Sequence, residues 1–535
     1  MTTSKSLPAR PSLESLRKQA KKLARDIAAG DDAAIARARL QLPDLALPLT
    51  QRNAQFVLAR EYGYWGWQHL IAEVNQRLGH GLESATTQAR RAIHDNDIER
   101  LKQLLAEHPA LLSWTTDAND GGLLGMATES YGASFDPSRE QVFTHATCAE
   151  LLIDAGAAVT PSVCEGLLES RARGLLQLFR RKGLLPRTLK FHSALGDLDA
   201  VCASLDENRN DLAEVTEAFL CACRFEHEAV ASVLLDRSIA LDGELGRRID
   251  GGPGRSAFVQ YMIAESETLA FTHADPGGLW QAFAMREVMR ALNDGDLPSF
   301  VSRLRSEPSM LADGCVNFQV GLIEQAVLRD REAFIAALFG LDPAVLRRRQ
   351  PPPSQAIEFA FTYAKTHLLP ALLRIWRLPD DLPHAAGMGD LAGVKRWFDA
   401  EGKPALGDVA NHAPISSVHK REAEWGEPNV QQVLDTALAW AVVNNHFKIA
   451  DFLLGHGADI NTNWGSHEPA SILHELVFHK NYAAMQFLID RGIDMTIVDY
   501  RWRSTAQGWA THAMKDEKMA QWLREAQQRR EQASR

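Results

Sequence analysis

The sequence predicts an all-α protein, built as a solenoid of stacked helical hairpins behind a three-helix leader. Three observations lead to this fold class. Two segments near the C-terminus, 436–461 and 471–496, align at a constant offset of 35 residues. Within each segment, apolar residues recur twice at helical spacing, with polar residues at the join. A short Gly/Asn-Asp motif also returns about every hundred residues upstream, close to three times the roughly 33-residue period of helical repeat arrays.

The composition is that of an ordinary folded protein. Of the 535 residues, 45% are hydrophobic and 24% are charged, which argues against disorder and against a fibrous class. The net charge of −10 disfavours a nucleic-acid partner. Apolar runs fall short of the roughly 20 residues that a membrane span needs, and no signal-peptide pattern opens the chain. We therefore expect a cytoplasmic protein with no membrane span and no nucleic-acid partner.

The cysteines favour a reducing compartment. There are six, and none forms a C-x-x-C pair, so a disulfide framework and a structural zinc site are both disfavoured. The six are Cys148, Cys164, Cys202, Cys221, Cys223 and Cys315.

Residues 1–80 form the predicted leader. Its first helix has an apolar face made by Leu13, Leu16, Ala20, Leu23 and Ile27. The opposite face carries Arg17, Lys18, Lys21, Lys22 and Arg25. A solvated face is the expectation here, with an anionic lipid or nucleic acid as the alternative ligand. A second helix is predicted from Leu49-Thr50, and a third contains Leu70, Ile71 and Val74.

The remaining chain is predicted to be three arrays of the same hairpin unit. Residues 81–280 and 281–400 carry it in degenerate form, and residues 401–535 carry the best-preserved copies with a C-terminal cap. The degenerate arrays are recognised by the motif that we assign to the join between two helices. It occurs at Asn96-Asp97-Ile98, Gly196-Asp197-Leu198, Gly295-Asp296-Leu297 and Gly389-Asp390-Leu391.

The two aligned segments specify both ends of their helices. Thr436 and Ser471 stand where an N-cap belongs, because a hydroxyl there can accept a hydrogen bond from the first turn. Gly457 and Gly492 stand just past the second helix, where a left-handed residue is needed.

These segments resemble ankyrin repeats. The T-P-L-H-x-A opening of that family is matched by Thr436, Leu438 and Ala441, and its G-A-D-x-N close by Gly457-Ala458-Asp459-Ile460-Asn461. The second copy has Ser471, Leu473-His474, Gly492 and Asp494, but Ile472 and Leu476 replace the consensus Pro and Ala. The resemblance implies that His474 is structural and bridges its own turn to the next repeat. Residues 54–67 are similar to a leader segment that precedes bacterial ankyrin repeats.

No catalytic, metal or cofactor site is predicted. His474 and His479 are five residues apart, one too many for the zinc-binding H-E-x-x-H spacing on one helix face. Cys221 and Cys223 are expected in the core. The Gly251–Gly254 stretch lacks both phosphate-binding patterns, and no G-x-S-x-G occurs.

Aromatic residues in the loops are the predicted partner-binding residues. Ankyrin hairpin loops usually have polar tips, whereas here they carry Trp464 and the run Tyr500-Arg501-Trp502. Trp425 lies in a polar insertion at 407–432. Aromatic residues with arginine are typical of interface hot spots. The alternative is that Trp464 and Trp502 fold back to cap the last repeats.

The predicted function is a non-enzymatic scaffold or adaptor, a monomer that binds a protein partner of unknown identity. A stack of hairpins offers an extended surface and no deep cleft. Two alternatives stay open. One is a bacterial effector exported to a host cell, since residues 1–11 are rich in Ser, Thr and Pro. The other is an enzyme whose chemistry lies unrecognised in residues 160–400.

Overall fold

The computed structural model describes most of the chain. The described residues are 5, 7–8, 12–42, 51–64, 67, 70, 74, 80–115, 120–128, 146–206, 211–266, 278–342, 353–413, 429–464, 470–499 and 502–533. They fall into two compact units, Met1–Pro186 and Arg187–Arg535. This division lies inside the predicted 81–280 array, and the boundaries at 80, 280 and 400 stay predictions. Secondary structure in these ranges is helical apart from two isolated β-bridges, so the all-α prediction is confirmed.

The first unit contains the leader and the first hairpins. Its helices are Leu13–Ala28, Asp32–Gln41, Gln51–Glu61, His80–His94, Ile98–Glu107, the 3-10 turn Pro109–Ser113, Gly122–Thr128, Ala146–Asp154, Pro161–Glu169 and Arg173–Arg181.

In the leader, the first two predicted helices form. In helix Leu13–Ala28, Leu16, Ala20, Leu23 and Ile27 of the apolar face are buried, and the five cations are exposed. Sequence reasoning missed the helix Asp32–Gln41, which has almost no apolar face; Asp31 starts it by accepting from the amides of residues 33 and 34 at 2.9 and 3.1 Å. Of the predicted third helix, Leu70 and Val74 are described and buried.

The second unit is a longer series of hairpins. Its α-helices are Leu189–Leu195, Leu198–Asp206, Leu212–Arg224, Glu228–Leu241, Gly243–Asp250, Arg255–Ala264, Leu279–Asp294, Leu297–Ser306, Val316–Leu328, Glu332–Leu341, Ala356–Thr362, Leu369–Leu372, Leu382–Gly387, Leu391–Lys395, Val430–Val443, Phe447–Gly455, Ile472–His479, Tyr482–Asp490, Ala506–His512 and Glu517–Ala533. Short 3-10 turns lie at Pro308–Leu311, Asp313–Cys315, Thr366–Leu368 and Val409–Asn411.

In many hairpins, the turn between the two helices contains one residue in the left-handed conformation. Glycine adopts this conformation without strain, and other residues adopt it rarely. In the second unit these residues, with φ between +50° and +78°, are Gly196, Glu226, Gly295, Asp330, Ala364, Gly389, Asn445, Lys480 and Lys515. Asn96 does the same in the first unit, with φ +53°. All four predicted motif positions are therefore left-handed joins. The aspartates that follow Asn96, Gly295 and Gly389 cap the next helix.

After three of the joins, the next residue ties its hairpin to the preceding one. His227 Nε2 donates to the carbonyl oxygen of Ala194 at 3.0 Å, and His446 Nε2 donates to that of Gly387 at 2.9 Å. Asn481 makes the corresponding bond in the next repeat at 3.3 Å. Each acceptor is a carbonyl in the last turn of a helix, which has no partner within its own helix. The join thus completes one hairpin and fixes its neighbour.

Gly389 gives a direct test of this packing. A Cβ at Gly389 would lie 2.7 Å from the His446 ring, whereas a Cβ at Gly407, which has a similar φ of +69°, would meet nothing within 4 Å. Both Gly→Ala variants should lose about 1 kcal/mol of stability to the left-handed backbone. Gly389→Ala should lose a further 1–3 kcal/mol or so by overpacking. Native-state hydrogen exchange of residues 430–455 measures the difference, and equal losses in the two variants would contradict it.

Candidate interaction surface

His474 lies where the resemblance implies a structural histidine. The Ser471 amide donates to His474 Nδ1 at 3.1 Å, so the ring proton sits on Nε2. That Nε2 donates to the carbonyl oxygen of Ser504 at 3.0 Å. The ring therefore joins the N-terminus of helix Ile472–His479 to the turn before helix Ala506–His512, which begins the next repeat. Ser471 is the N-cap residue of that helix.

The N-cap predicted at Thr436 was wrong. The helix begins about two turns earlier, at Val430, with Asn429 as its N-cap. Asn429 and Gln432 exchange side-chain-to-backbone bonds of 3.0 and 3.1 Å, forming a capping box. Thr436 is buried inside the helix and donates its hydroxyl to the Gln432 carbonyl at 2.9 Å. The helix extends backwards because Leu434 and its neighbours are buried in the core.

The closing residues of the two repeats hold their loops together. Gly457 and Gly492 are left-handed, with φ of +104° and +89°. Asp459 Oδ1 accepts from the Asn461 amide at 2.8 Å, and Asn461 Oδ1 accepts from the Asp494 amide of the next repeat at 2.7 Å. Successive loops are thereby connected by a chain of polar bonds.

The structure separates the predicted partner-binding residues. Trp464 is buried, with 2% of its surface exposed, and belongs to the main core; this placement is what the capping alternative predicts for it. Trp502 is half exposed, at 50%. Trp425, Tyr500 and Arg501 lie outside the described residues.

Trp502 belongs to an aromatic cluster at the last two hairpins. Phe478 and Trp502 both pack edge-on against the buried Trp509, with ring centroids 5.0 and 5.9 Å away and interplanar angles of 63° and 78°. Phe478 is 42% exposed and Trp509 only 3%. We call these three residues the aromatic patch. Its two outer rings, Phe478 and Trp502, are partly exposed to solvent.

A buried carboxylate holds the loop of the patch in place. Asp499, fully buried, accepts from the Trp502 amide at 2.6 Å, the Ser504 amide at 2.9 Å and Trp509 Nε1 at 3.0 Å. The bridge between Val498 and Thr505 closes the same loop. Sequence reasoning missed both Phe478 and Asp499. Phe478 could have been noticed in the sequence as a large aromatic residue one position before the end of its helix. The residue aligned with it, 35 positions earlier, is Val443, which is buried.

No group of three or more His, Cys, Asp or Glu side chains in the described ranges is placed to hold a metal ion. An open depression of about 460 Å³ is lined by Leu297, Pro298, Val301, Ser302 and Arg305. Burial lowers the pKa of Arg286 to about 10 and raises that of Cys223 to about 12, but neither side chain lines the depression.

Comparison with known families agrees with the geometry of this region. Residues 438–489 match the family model of ankyrin repeats (many copies). The match starts within helix Val430–Val443 and ends within Tyr482–Asp490, so it includes the ankyrin loop that contains Trp464 and the helix that carries Phe478. A search of the curated proteins found no match. Among the described residues, none of the helices combines the length and apolarity needed to cross a membrane.

Replacing Asp499 with asparagine tests how the patch is held. The amide side chain would keep one acceptor oxygen for three donors, and a hydrogen bond to a charged group contributes about 1.5–3 kcal/mol. We expect Asp499→Asn to lower the local stability of residues 502–512 by about 2–3 kcal/mol, measured by native-state hydrogen exchange. The matched control is Asp490→Asn, because Asp490 is an exposed carboxylate that accepts from Gln486 Nε2 at 2.6 Å. A comparable loss in the control would contradict the assignment.

The buried histidines predict a pH dependence. Burial lowers the pKa of His474 and of His479, although the charge of Glu475 raises both and that of Asp499 raises the pKa of His474. Their neutral rings therefore stabilise the fold fully above the ordinary histidine pKa of about 6.5. That stability is lost as the pH falls from there towards the lowered values.

Hydrogen exchange of residues 472–490, corrected for its intrinsic rate, should thus accelerate between about pH 7.5 and 5.5. The double variant His474→Gln/His479→Gln should be less stable at the higher pH and show a flatter profile. His512→Gln, at an exposed position, is the control. An unchanged profile in the double variant would show that other groups set the dependence.

Proposed function

We propose that this chain is a non-enzymatic protein-interaction module that binds a protein partner through the aromatic patch. The observation that carries the proposal is the grouping of the exposed Phe478 and Trp502 rings on the buried Trp509. Aromatic anchors on a rigid support are the residues that dominate interface energies. The ankyrin match at 438–489 supports the same function, because repeats of this kind serve as binding scaffolds.

The proposal extends to the rest of the chain. The other hairpins are taken to be eroded ankyrin repeats, because their left-handed joins and inter-hairpin bonds are those of the matched region. The leader segment 54–67 supports a bacterial ankyrin protein. None of the six cysteines forms a disulfide in the structure, in keeping with a reducing cytoplasm. We take the protein to act there as a monomer.

The test is partner recovery from the native cell by crosslinking and mass spectrometry, with the full chain as bait. Trp502→Ala should reduce recovery at least about tenfold, since truncation of a hot-spot aromatic costs about 2 kcal/mol or more. Its melting temperature should stay close to that of the wild type. Met388→Ala is the control, because Met388 is exposed to a similar degree, 43%, on another hairpin.

The same variant separates binding from capping. If Trp502→Ala lowers the melting temperature strongly and recovers the partner as well as the wild type, the ring is a cap and the proposed site is wrong. If well-folded wild-type bait recovers no partner, the proposed function is wrong.

A further inference from the structure

The predicted leader carries a charge opposite to that of the rest of the chain. Residues 1–80 contain 12 Lys and Arg against 7 Asp and Glu, a net charge of +5. Residues 81–535 contain 46 against 61, a net charge of −15. The positive charge therefore belongs to the leader as a whole and does not depend on where a short segment is cut. A charge asymmetry of this kind favours a polyanionic partner for the positive part.

The first helix of the leader carries a compact group of cations on one side. Five exposed residues of this helix are Lys or Arg, which carry their charge at neutral pH. They occupy positions i, i+1, i+4, i+5 and i+8, which fall within an arc of about 140° and span about 12 Å along the axis. We call these five residues the basic face: Arg17, Lys18, Lys21, Lys22 and Arg25.

Acidic residues stand at the ends of the basic face. The helix contains two, Glu14 and Asp26, which leave it with a net charge of +3. Glu14 lies about one turn before the first cation, and Asp26 Oδ1 is 3.9 Å from Arg25 Nε. Asp31 and Asp32 follow beyond the end of the helix, where the Asp31 carboxylate accepts from amides of the next helix. The acidic residues thus flank the cations in sequence and do not alternate with them.

The opposite side of the helix fixes the basic face towards solvent. Leu16, Ala20, Leu23 and Ile27 are at most 3% exposed and belong to the two hydrophobic clusters of the leader. Because these side chains are already buried, the helix cannot turn its apolar side into a membrane while the leader is folded. Contact of the basic face with a bilayer is therefore electrostatic and takes place at the level of the headgroups.

We propose that the basic face binds the surface of an anionic lipid bilayer. Groups of four to eight Lys and Arg residues on an amphipathic helix are typical of proteins that bind acidic phospholipids. Lipid headgroups diffuse within the bilayer, so their negative charges can gather beneath a compact group of cations. Without an acyl chain or an inserted apolar face, the attachment is reversible. This inference does not rest on the aromatic patch, and it places an interaction module at a membrane surface.

A nucleic acid is the less suitable polyanion. The helix contains no aromatic residue on which the base of a single strand could stack. The phosphates of a duplex are fixed in position, so they cannot gather beneath the basic face as lipid headgroups do.

Co-sedimentation of the full-length chain with vesicles tests the proposal. Vesicles of phosphatidylcholine with about 30% of the anionic lipid phosphatidylglycerol should bind the wild type, and vesicles of pure phosphatidylcholine should not. Each cation near an anionic surface changes the affinity about fivefold. Lys21→Gln/Lys22→Gln/Arg25→Gln should therefore bind about a hundredfold more weakly. Raising the NaCl concentration from about 0.05 to 0.5 M should release the wild type.

The matched control is Lys518→Gln/Arg524→Gln/Arg529→Gln. It removes the same charge from three exposed residues of helix Glu517–Ala533, in which acidic residues are interspersed among the cations. This control should bind the anionic vesicles as the wild type does, and so should Trp502→Ala. Both triple variants should keep the melting temperature of the wild type, because the replaced side chains are exposed. If the basic-face variant melts lower, Lys21→Gln with its fivefold loss takes its place.

Several results would overturn the inference. They are equal binding of the wild type to both kinds of vesicle, binding to neither, undiminished binding by the basic-face variant, and an equal loss in the two triple variants. Release of the wild type from anionic vesicles by a short DNA duplex or single strand, at equal phosphate concentration, would show that the basic face prefers a nucleic acid.

Discussion

The structure depends on how one helical hairpin is closed and attached to the next. Each hairpin can bury its apolar side only against its neighbours, so the turn between its helices must be tight and must leave no carbonyl unsatisfied. In many hairpins a left-handed residue makes the turn, and after three of these joins, at His227, His446 and Asn481, the next side chain donates to a helix-terminal carbonyl of the preceding hairpin. The same few atoms thereby fix both the geometry within a unit and the contact between units.

The C-terminal hairpins are also held by hydrogen bonds between residues that are distant in sequence. Trp440 Nε1 donates to the Thr362 hydroxyl at 3.1 Å, and Asn444 Nδ2 donates to the Phe361 carbonyl at 2.9 Å. The Phe361 and Trp440 rings stack with centroids 5.1 Å apart. These contacts belong to a core that continues from residue 284 to residue 526. The aromatic patch therefore stands on a support much larger than the two hairpins that carry it.

The buried polar pair His384 and Asp381 differs from the aromatic patch in its exposure to solvent. His384 and Asp381 are within hydrogen-bond distance, 2.8 Å, and resemble part of a catalytic set. Burial favours the neutral carboxyl, yet the His384 bonds hold the pKa of Asp381 below its ordinary value. Both side chains are nearly fully buried, and Asp381 also accepts from the Ala413 amide at 3.1 Å. The pair fastens a loop to a helix, whereas Phe478 and Trp502 face solvent.

The hairpin, its period and its joins can be predicted from the amino-acid sequence. The 35-residue offset and the motifs at Asn96, Gly196, Gly295 and Gly389 are local signals, because turn geometry and helix periodicity depend on neighbouring residues. Which loop residues are exposed depends instead on tertiary packing. Trp464 and Trp502 have similar local contexts, yet one packs into the core and the other stays at the surface. The start of the helix at Asn429 was likewise set by burial of Leu434. Burial depends on contacts between residues distant in sequence, which no local pattern records.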